Sequence, residues 1–478
     1  MKGLEKKTKI IATLGPRSDS LEVMESLLRR GVDVFRFNFS HGSPEEHEKR
    51  LALATEAASR TGRFPALLAD LQGPKIRLGR TENDREVRLV EGDRVALTSD
   101  PVPCTRQVLS IDYPPLLQDL RPGNAVLLND GAIELEVESV DLERRRAVCL
   151  VRNTGTFSSR KGVNFPRAAL SVPSVTAKDM RDLDFVFEHG FHFVALSFVR
   201  SARDLAPLKD AVGKSGAFLK IIAKIEKPEA AERIEEILDC CDGIMVARGD
   251  LGVEASLWTV PILQKDLIRR ARTKGRVVIV ATQMLESMIE HPVPTRAETT
   301  DVANAILDGA DAVMLSGETA VGRYPVETVE TMARILKVTE ASSYFSRELA
   351  GIETPSLMPP HAVCEAAATA SRDLGDIPIV VFTLSGDTAW YMANIRPQAP
   401  LIAFSSSRRV VAQLALAWNT IAFELPFEGN VVRLIKMAET KLLETGCLAF
   451  HDSVVIVCGT TSVHGATNFM QIRQLGEQ

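Results

Sequence analysis

Residues 219–248 read LKIIAKIEKPEAAERIEEILDCCDGIMVAR. The stretch opens on an apolar, β-branched run, LKIIAKI (219–225), passes through helical apolar spacing in AAERIEEILDC, and closes on a second run, DGIMVAR (242–248). Two near-continuous apolar strands joined by one amphipathic helix form a unit whose strands lie parallel and are covered on both faces. Further out, the same rhythm recurs. Strand-like runs stand at TKIIATL (8–14), DVFRFNF (33–39), PALLAD (65–70), HFVALSF (192–198), VVIVAT (277–282) and DAVMLSG (311–317). Helical segments such as LEVMESLLRRG separate most of them. Eight such units predict a closed (β/α)8 barrel.

The spacing breaks once. Between Asp70 and His192 lie about 120 residues, far more than one crossover helix needs. Their texture is alternating, as in REVRLVEGDRVALTS and PGNAVLLNDGAIELEVESVD, with Gly-Asp and Asn-Asp-Gly turn signals. This predicts a small antiparallel β-barrel domain inserted after the third strand, where it would act as a lid on the barrel mouth. GIETPSLMPPH (351–361) reads as a linker, and IPIVVFT, PLIAFSS, TIAFEL and SVVIVCG beyond it predict a C-terminal α/β domain with an open sheet. The expected boundaries are 1–72 with 168–348 for the barrel, 73–167 for the lid and 349–478 for the last domain.

Composition narrows the class. A chain of 478 residues with 45% hydrophobic and 25% charged residues suits a globular protein of about three domains. Its net charge of -5 and lack of a basic stripe argue against nucleic acid as a partner. No apolar run is long enough to cross a membrane, and the N-terminus passes directly into a strand without a signal sequence. Seven scattered cysteines, with no C-x-x-C, fit neither a disulfide framework nor a zinc site. A cytoplasmic location is expected.

Polar residues gather where a barrel does its chemistry, at the C-terminal ends of its strands. Strand two ends in Arg36, Asn38, Ser40 and His41, strand three in Asp70, and strand four in Ser197. Strand five ends in Lys224 and Glu226, six in Arg248 and Asp250, seven in Thr282 and Gln283, eight in Ser316 and Glu318. One such residue is ordinarily the start of a surface loop; repetition around the ring predicts a site. Two carboxylates from neighbouring strands, without clustered His or Cys, suit Mg2+ or Mn2+. Lys224 lies two residues before Glu226, hence on the same side of the strand, and with Arg36 and Arg77 it suits a phosphorylated anion. An internal salt-bridge network is the plainer alternative. The R-G-D-L-G turn at 248–252 offers backbone amides that would suit a carboxylate or phosphate.

At these positions the chain resembles the pyruvate kinases. KIIATLGP, RFNFSHG, GPKIRLG, KGVNFP, AKIEKPEA, VARGDLG, ATQMLESM, DVANAILDGADAVMLSGETAVGRYP and a final GATN carry the resemblance, in order, over nearly the whole length. The resemblance, of the bacterial type, implies phosphoryl transfer from phosphoenolpyruvate to ADP, giving pyruvate and ATP. It implies that Glu226 and Asp250 hold the metal, that Lys224 stabilises the phosphoryl group, and that Arg36 contacts the phosphate. Gly249, Asp250 and Thr282 would cradle the substrate carboxylate, with Ser197 in the substrate set and Thr282 near the face where the enolate is protonated. Asn38, Ser40 and Asp70 match ligands of a monovalent cation; Asn38, His41 and Arg77 lie on the nucleotide side, and Lys161 is the lid lysine reaching the nucleotide phosphates.

One departure stands out. Many relatives read D-T-K-G-P-E-I-R at the third strand and depend on K+, whereas here residues 70–77 read D-L-Q-G-P-K-I-R. Leu71 loses a hydroxyl, and the Lys75 ammonium can stand in for the cation, so activity without K+ is expected. In the last domain Thr383, Ser385, Gly386 and Thr388 match a loop that binds the phosphate of an activator in the family. Asp387 within it disfavours a bisphosphate, which leaves a sugar monophosphate or AMP; ordinary helix capping is the alternative reading. Similar proteins are homotetramers. Two other classes fit parts of the pattern. A metal-dependent aldolase or lyase acting on pyruvate-like substrates would not need the lid or Lys161. A non-catalytic effector-binding homologue would be expected to lack some of Lys224, Glu226, Asp250 and Thr282.

Overall fold

A computed structural model describes residues 6–168, 170–345, 358–426, 428–459 and 467–476. The first part of the expected linker, 351–357, and Gly465 and Ala466 of the GATN motif lie outside the described residues. Strands Lys9–Thr13, Val34–Asn38, Ala66–Asp70, Phe193–Leu196, Lys220–Ile225, Gly243–Ala247, Val277–Ala281 and Ala312–Leu315 close into one parallel barrel. Each pairs with its neighbours in sequence order, and the eighth pairs with the first.

The period of two along each strand decides what faces inward. Ile11, Val34, Ala66, Leu68, Phe193, Ala195, Ile222 and Met245 share the interior cluster. Their neighbours, such as Ile10, Phe35, Ala69 and Ala223, join the layer beneath the helices. Continuing the inward column by one step reaches Thr13 and Arg36 after Ile11 and Val34, and Asp70 after Leu68. The same step reaches Ser197 after Ala195 and Lys224 after Ile222. The barrel therefore turns from apolar to charged at its upper rim by continuing its own alternation. Helices that cover it are fixed at their ends by local chemistry. Ser43 and Glu46 form a capping box on helix Pro44–Thr61, which ends at Gly62 with φ 66°. Thr295 and Glu298 do the same for helix Arg296–Leu307.

The inserted domain has a six-stranded sheet in the order Val163–Asn164, Ala125–Leu128, Ile133–Asp141, Arg146–Val151, Arg94–Thr98, Val108–Ser110. Its pairs are antiparallel except the last, and a second, two-stranded sheet joins Val87–Leu89 to Gly155–Phe157. It encloses its own core, built on Leu97, Leu135, Cys149 and Phe165. The C-terminal sheet runs Thr420–Glu424, Leu401–Ser405, Ile379–Phe382, Ser453–Gly459, Thr467–Gln474, parallel save for the final strand. Leu416 of this domain packs into the interior cluster of the barrel. At the same junction Lys9 Nζ donates to the Thr420 carbonyl at 2.7 Å, and Arg396 Nη2 lies 2.7 Å from Asp311 Oδ1.

Candidate active site

The upper rim converges on Lys224. Its Nζ lies 2.8 Å from Glu226 Oε1 and 3.2 Å from Asp70 Oδ1, and it donates to Ser197 Oγ at 2.8 Å. Arg36 approaches Asp70 from the other side: Nε donates to Oδ2 at 2.8 Å, and Nη1 donates to Thr13 Oγ1 at 2.9 Å. Burial alone would push the Lys224 ammonium down, but Asp70 and Glu226 reverse this and hold it above its ordinary value. The group is therefore a permanent cation. Burial likewise raises Asp70, and Lys224 and Arg36 together outweigh it, so the carboxylate stays ionised. Glu226 differs. Burial pushes it up to about 7, with Asp250 adding to the rise while Lys224 opposes it.

Backbone geometry fixes the rest. Glu226 Oε2 accepts the amide of Phe198 at 2.7 Å, and Phe198 sits at φ 58°, a left-handed position that bulky residues seldom take. Gly73 packs against this turn, where a Cβ would come within 3.1 Å of the Phe198 ring. Thr282 and Gln283 repeat the conformation at φ 68° and 54°. Arg248 holds that turn, donating to the Thr282 carbonyl at 2.8 Å while its Nη1 pairs with Asp301 at 2.7 Å. The strained turn aims the Thr282 hydroxyl at helix Arg248–Glu254, whose Gly249 amide donates to it at 2.7 Å. A Cβ at Gly249 would rest in van der Waals contact with Thr282, 3.4 Å from its Oγ1.

Asp250 stands in the first turn of the same helix and lines a cleft between barrel and lid, together with Lys75 and Asp130. Among the described residues no hydrogen bond or ion pair engages its carboxylate, and its charge reaches both Glu226 and Lys224. The described residues hold no group of three or more His, Cys, Asp or Glu arranged to bind a metal. Two carboxylates with one left open thus fit a hard cation that keeps water and takes substrate oxygens as further ligands. They do not fit a closed structural zinc site.

The remaining candidates fall in two places. Asn38 Oδ1 accepts the Ser40 amide at 3.1 Å, and His41 is held below its usual value by burial first, then by Lys75, Arg77 and Arg36. That places those cations around one end of strands two and three. Arg77 Nη1 donates to the Arg160 carbonyl at 2.9 Å, beside the exposed Lys161. Thr383, Ser385, Gly386 and Thr388 lie in the C-terminal domain, away from this cluster. Gly386, at φ 94°, is the N-cap of helix Asp387–Ile395 and donates to Thr383 Oγ1 at 2.9 Å. Ser385 Oγ donates to Asp387 Oδ2 at 2.7 Å, and the Thr388 hydroxyl meets that of Thr467, from the GATN motif, at 2.7 Å.

Two charged strand-end residues stay out of the cluster. Glu318 is fully buried, accepting the amides of Leu285 and Ser316, and Arg248 serves the Thr282 turn as described. Sequence reasoning missed Thr13 and Phe198. Thr13 was legible from the inward step after Ile11; Phe198 acts through its backbone and left no signal.

A pyruvate kinase barrel-domain model matches residues 5–329, and a pyruvate kinase alpha/beta-domain model matches 361–473. The chain belongs to the pyruvate kinase family. A pyruvate kinase of Geobacillus stearothermophilus is 41% identical over 478 residues, covering 99% of this chain and 81% of that one. A pyruvate kinase of Mycobacterium intracellulare is 40% identical over 479 residues, covering 99% of each. The crystal structure of a pyruvate kinase from Cryptosporidium parvum superposes with a TM-score of 0.92 at 32% identity, over 98% of this chain and 96% of that one. The pyruvate kinase barrel, lid and α/β domain are thus all present, and the chain is a phosphotransferase.

Proposed function

We propose that the chain transfers the phosphoryl group of phosphoenolpyruvate to ADP, giving pyruvate and ATP, with the residues of the upper rim in the roles named above. The observation that carries this reading is the position of Lys224, a cation kept charged between Asp70 and Glu226 beside the open Asp250. A loose phosphoryl transition state spreads charge over its oxygens, so catalysis rests on positioning and neutralisation. Lys224 and Arg36 supply fixed positive charge for the phosphoryl group. Lys224 does not act as a base, because Asp70 and Glu226 keep it protonated.

Glu226 and Asp250 would hold a Mg2+ or Mn2+ ion, which when bound supplies further neutralisation of phosphoryl and enolate oxygens. With Glu226 ionised, Arg36 and Lys224 against Asp70, Glu226 and Asp250 leave one excess carboxylate, which favours cation binding. The amides of Gly249 and Asp250, with the Thr282 hydroxyl, suit the substrate carboxylate. For that use the Gly249 amide must exchange its bond to Thr282 for one to substrate. The lid, carrying Lys161 over Arg77 and His41, excludes water so that ADP is the acceptor.

Three finer readings are part of the proposal. Asp70 is already neutralised by Arg36 and Lys224, and Lys75 adds a cation nearby, so K+ is not required. The Thr383–Thr388 loop takes the phosphate of an activator, a sugar monophosphate or AMP, at the amino end of its helix. The protein works in the cytoplasm as a homotetramer. No helix among the described residues is long and apolar enough to cross a membrane.

A lactate dehydrogenase-coupled assay tests the core of the reading. Pyruvate is expected from phosphoenolpyruvate only when ADP and Mg2+ are both added; release without ADP would indicate a lyase or phosphatase instead. Repeating it with AMP and sugar monophosphates tests the loop.

A further inference from the structure

Three residues with no place in the reaction outlined above meet beneath the lid. Asn164 Nδ2 donates to Glu254 Oε1 at 2.8 Å, and Lys227 Nζ lies 3.1 Å from Glu254 Oε2, an ion pair without hydrogen-bond alignment. Lys227 and Glu254 are only 8% and 6% exposed. All three border the cleft that Asp250 lines.

Their positions in the chain give the contact its meaning. Lys227 directly follows Glu226. Glu254 follows Asp250 by four residues on one seven-residue helix, which puts both side chains on the same face. Asn164 follows Lys161 by three and is fixed in the lid sheet by the pairing of Val163–Asn164 with Leu127–Leu128. The contact thus joins the neighbours of both proposed metal carboxylates to the lid segment that follows Lys161. A buried pair of this kind is a poor stabiliser compared with apolar packing, because desolvation cancels most of its attraction. Its geometry is better suited to fixing an orientation.

We infer that Asn164, Glu254 and Lys227 form a positioning latch that sets Asp250 and Glu226 for the metal according to where the lid sits. The inference rests on the kinase reading for its purpose, since it assumes that those carboxylates bind the ion and that the lid carries nucleotide contacts. A turn of helix Arg248–Glu254 about its axis would move Asp250 away from Glu226; Glu254, anchored on one side to the lid and on the other to Lys227, resists that turn. Groups behind metal ligands commonly change metal affinity about 10- to 100-fold when removed.

The test uses the full-length protein, with Mn2+ alone as probe, its binding followed by electron paramagnetic resonance. Asn164→Ala is expected to weaken Mn2+ about tenfold although it touches no proposed ligand. Asn164→Asp, which sets a like charge against Glu254, should weaken it further. Glu254→Gln should cost at least as much, and Asn164→Ala combined with Glu254→Gln should be no worse than Glu254→Gln alone. A merely structural contact would lower the thermal midpoint and leave Mn2+ affinity at the wild-type value in both Asn164 variants; that pattern overturns the latch. Should Glu254→Gln fail to fold, the two Asn164 variants decide the matter. Metal binding is read without turnover, so a wild-type protein that makes no pyruvate would sink the kinase reading and leave this measurement standing.

Discussion

Of the lysines on the inward columns, Lys9 at one end of the barrel and Lys224 at the other titrate in opposite senses. Lys9, at the lower rim, precedes Ile11 in the inward column; burial pushes its ammonium down to about 8, only partly offset by Asp33. Lys224, at the upper rim, is equally enclosed yet is held above its ordinary value. The difference lies in the partners. Lys9 donates to a backbone carbonyl, a neutral dipole, whereas Lys224 has two carboxylates within 3.2 Å. The same eight strands thus end in two kinds of charge. Below, charge is covered by Leu416 and Trp418, with Arg396 stacked on the Trp418 ring at 4.6 Å. Above, the carboxylates exceed the local cations and one of them opens to a cleft. Buried charge alone does not mark a site; an excess that faces solvent does.

The largest effect should come from breaking the upper cluster. Lys224→Met removes the permanent cation and should lower kcat by about 10^2- to 10^3-fold, or about 3–4 kcal/mol of transition-state stabilisation. The KM for phosphoenolpyruvate should move much less. An unchanged kcat would remove Lys224 from the mechanism. At the lower rim the corresponding damage should be to the fold. Arg396→Leu leaves Asp311 without its ion pair in a buried place and should cost about 3 kcal/mol in denaturant unfolding, with kcat within about twofold of wild type. A large loss of kcat at full stability would mean that the two rims are coupled and that the division drawn here is wrong.

The upper rim was legible in the sequence because it is periodic. Once Ile222 is placed inward, Lys224 follows by alternation, and Asp70 and Arg36 follow from Leu68 and Val34. Eight repeats of one pattern made the barrel, and one break in it located the lid. What escaped depended on contacts between distant segments. Nothing near residue 416 says that its side chain will enter the barrel interior, because the partners, among them Ile11, Phe193 and Met245, are contributed by the other domain. The Asn164–Glu254 bond spans 90 residues. Phe198 binds Glu226 through its amide, a group every residue but proline possesses. The Asp70–Arg77 departure was visible, yet only the structure shows that Leu71 packs into the core, so its lost hydroxyl says less about the cation than Lys75 does.

A smaller effect is expected at the lower rim as pH falls. His192 lies just before the fourth strand; its Nδ1 accepts the Leu67 amide at 2.9 Å, and its carbonyl accepts Gln413 Nε2 at 3.3 Å. Burial, aided by Arg409, pushes the ring from its ordinary value near 6.5 down to about 4. The unfolded chain therefore takes up this proton more readily than the folded one. The ring's contribution is complete above about pH 6.5 and is lost as pH falls towards 4. With allowance for its partial exposure, that loss is about 2 kcal/mol. His192→Gln should flatten this limb of the stability–pH curve. Parallel curves for variant and wild type would show that the ring is not the titrating group.

The subtlest expectation concerns Lys75, which lies between the two regimes. It is exposed, it makes no ion pair among the described residues, and it borders the same cleft as Asp250. Its charge nevertheless reaches His41, alongside Arg77 and Arg36. An ammonium so placed adds positive potential at the mouth without being consumed by a carboxylate partner, as a bound K+ would. Exposure also weakens it, because solvent and salt screen an open charge. Wild-type rates should therefore be the same in Na+ and K+ at equal ionic strength. Lys75→Glu reverses the sign at this point and should lower the rate in Na+ by about tenfold, or 1.4 kcal/mol. K+ should restore part of that loss. If Lys75→Glu is equally impaired in both salts, the lysine contributes only general potential. If wild type itself needs K+, the excess carboxylate at the upper rim is larger than Lys75 can offset, and the monovalent cation belongs in the site.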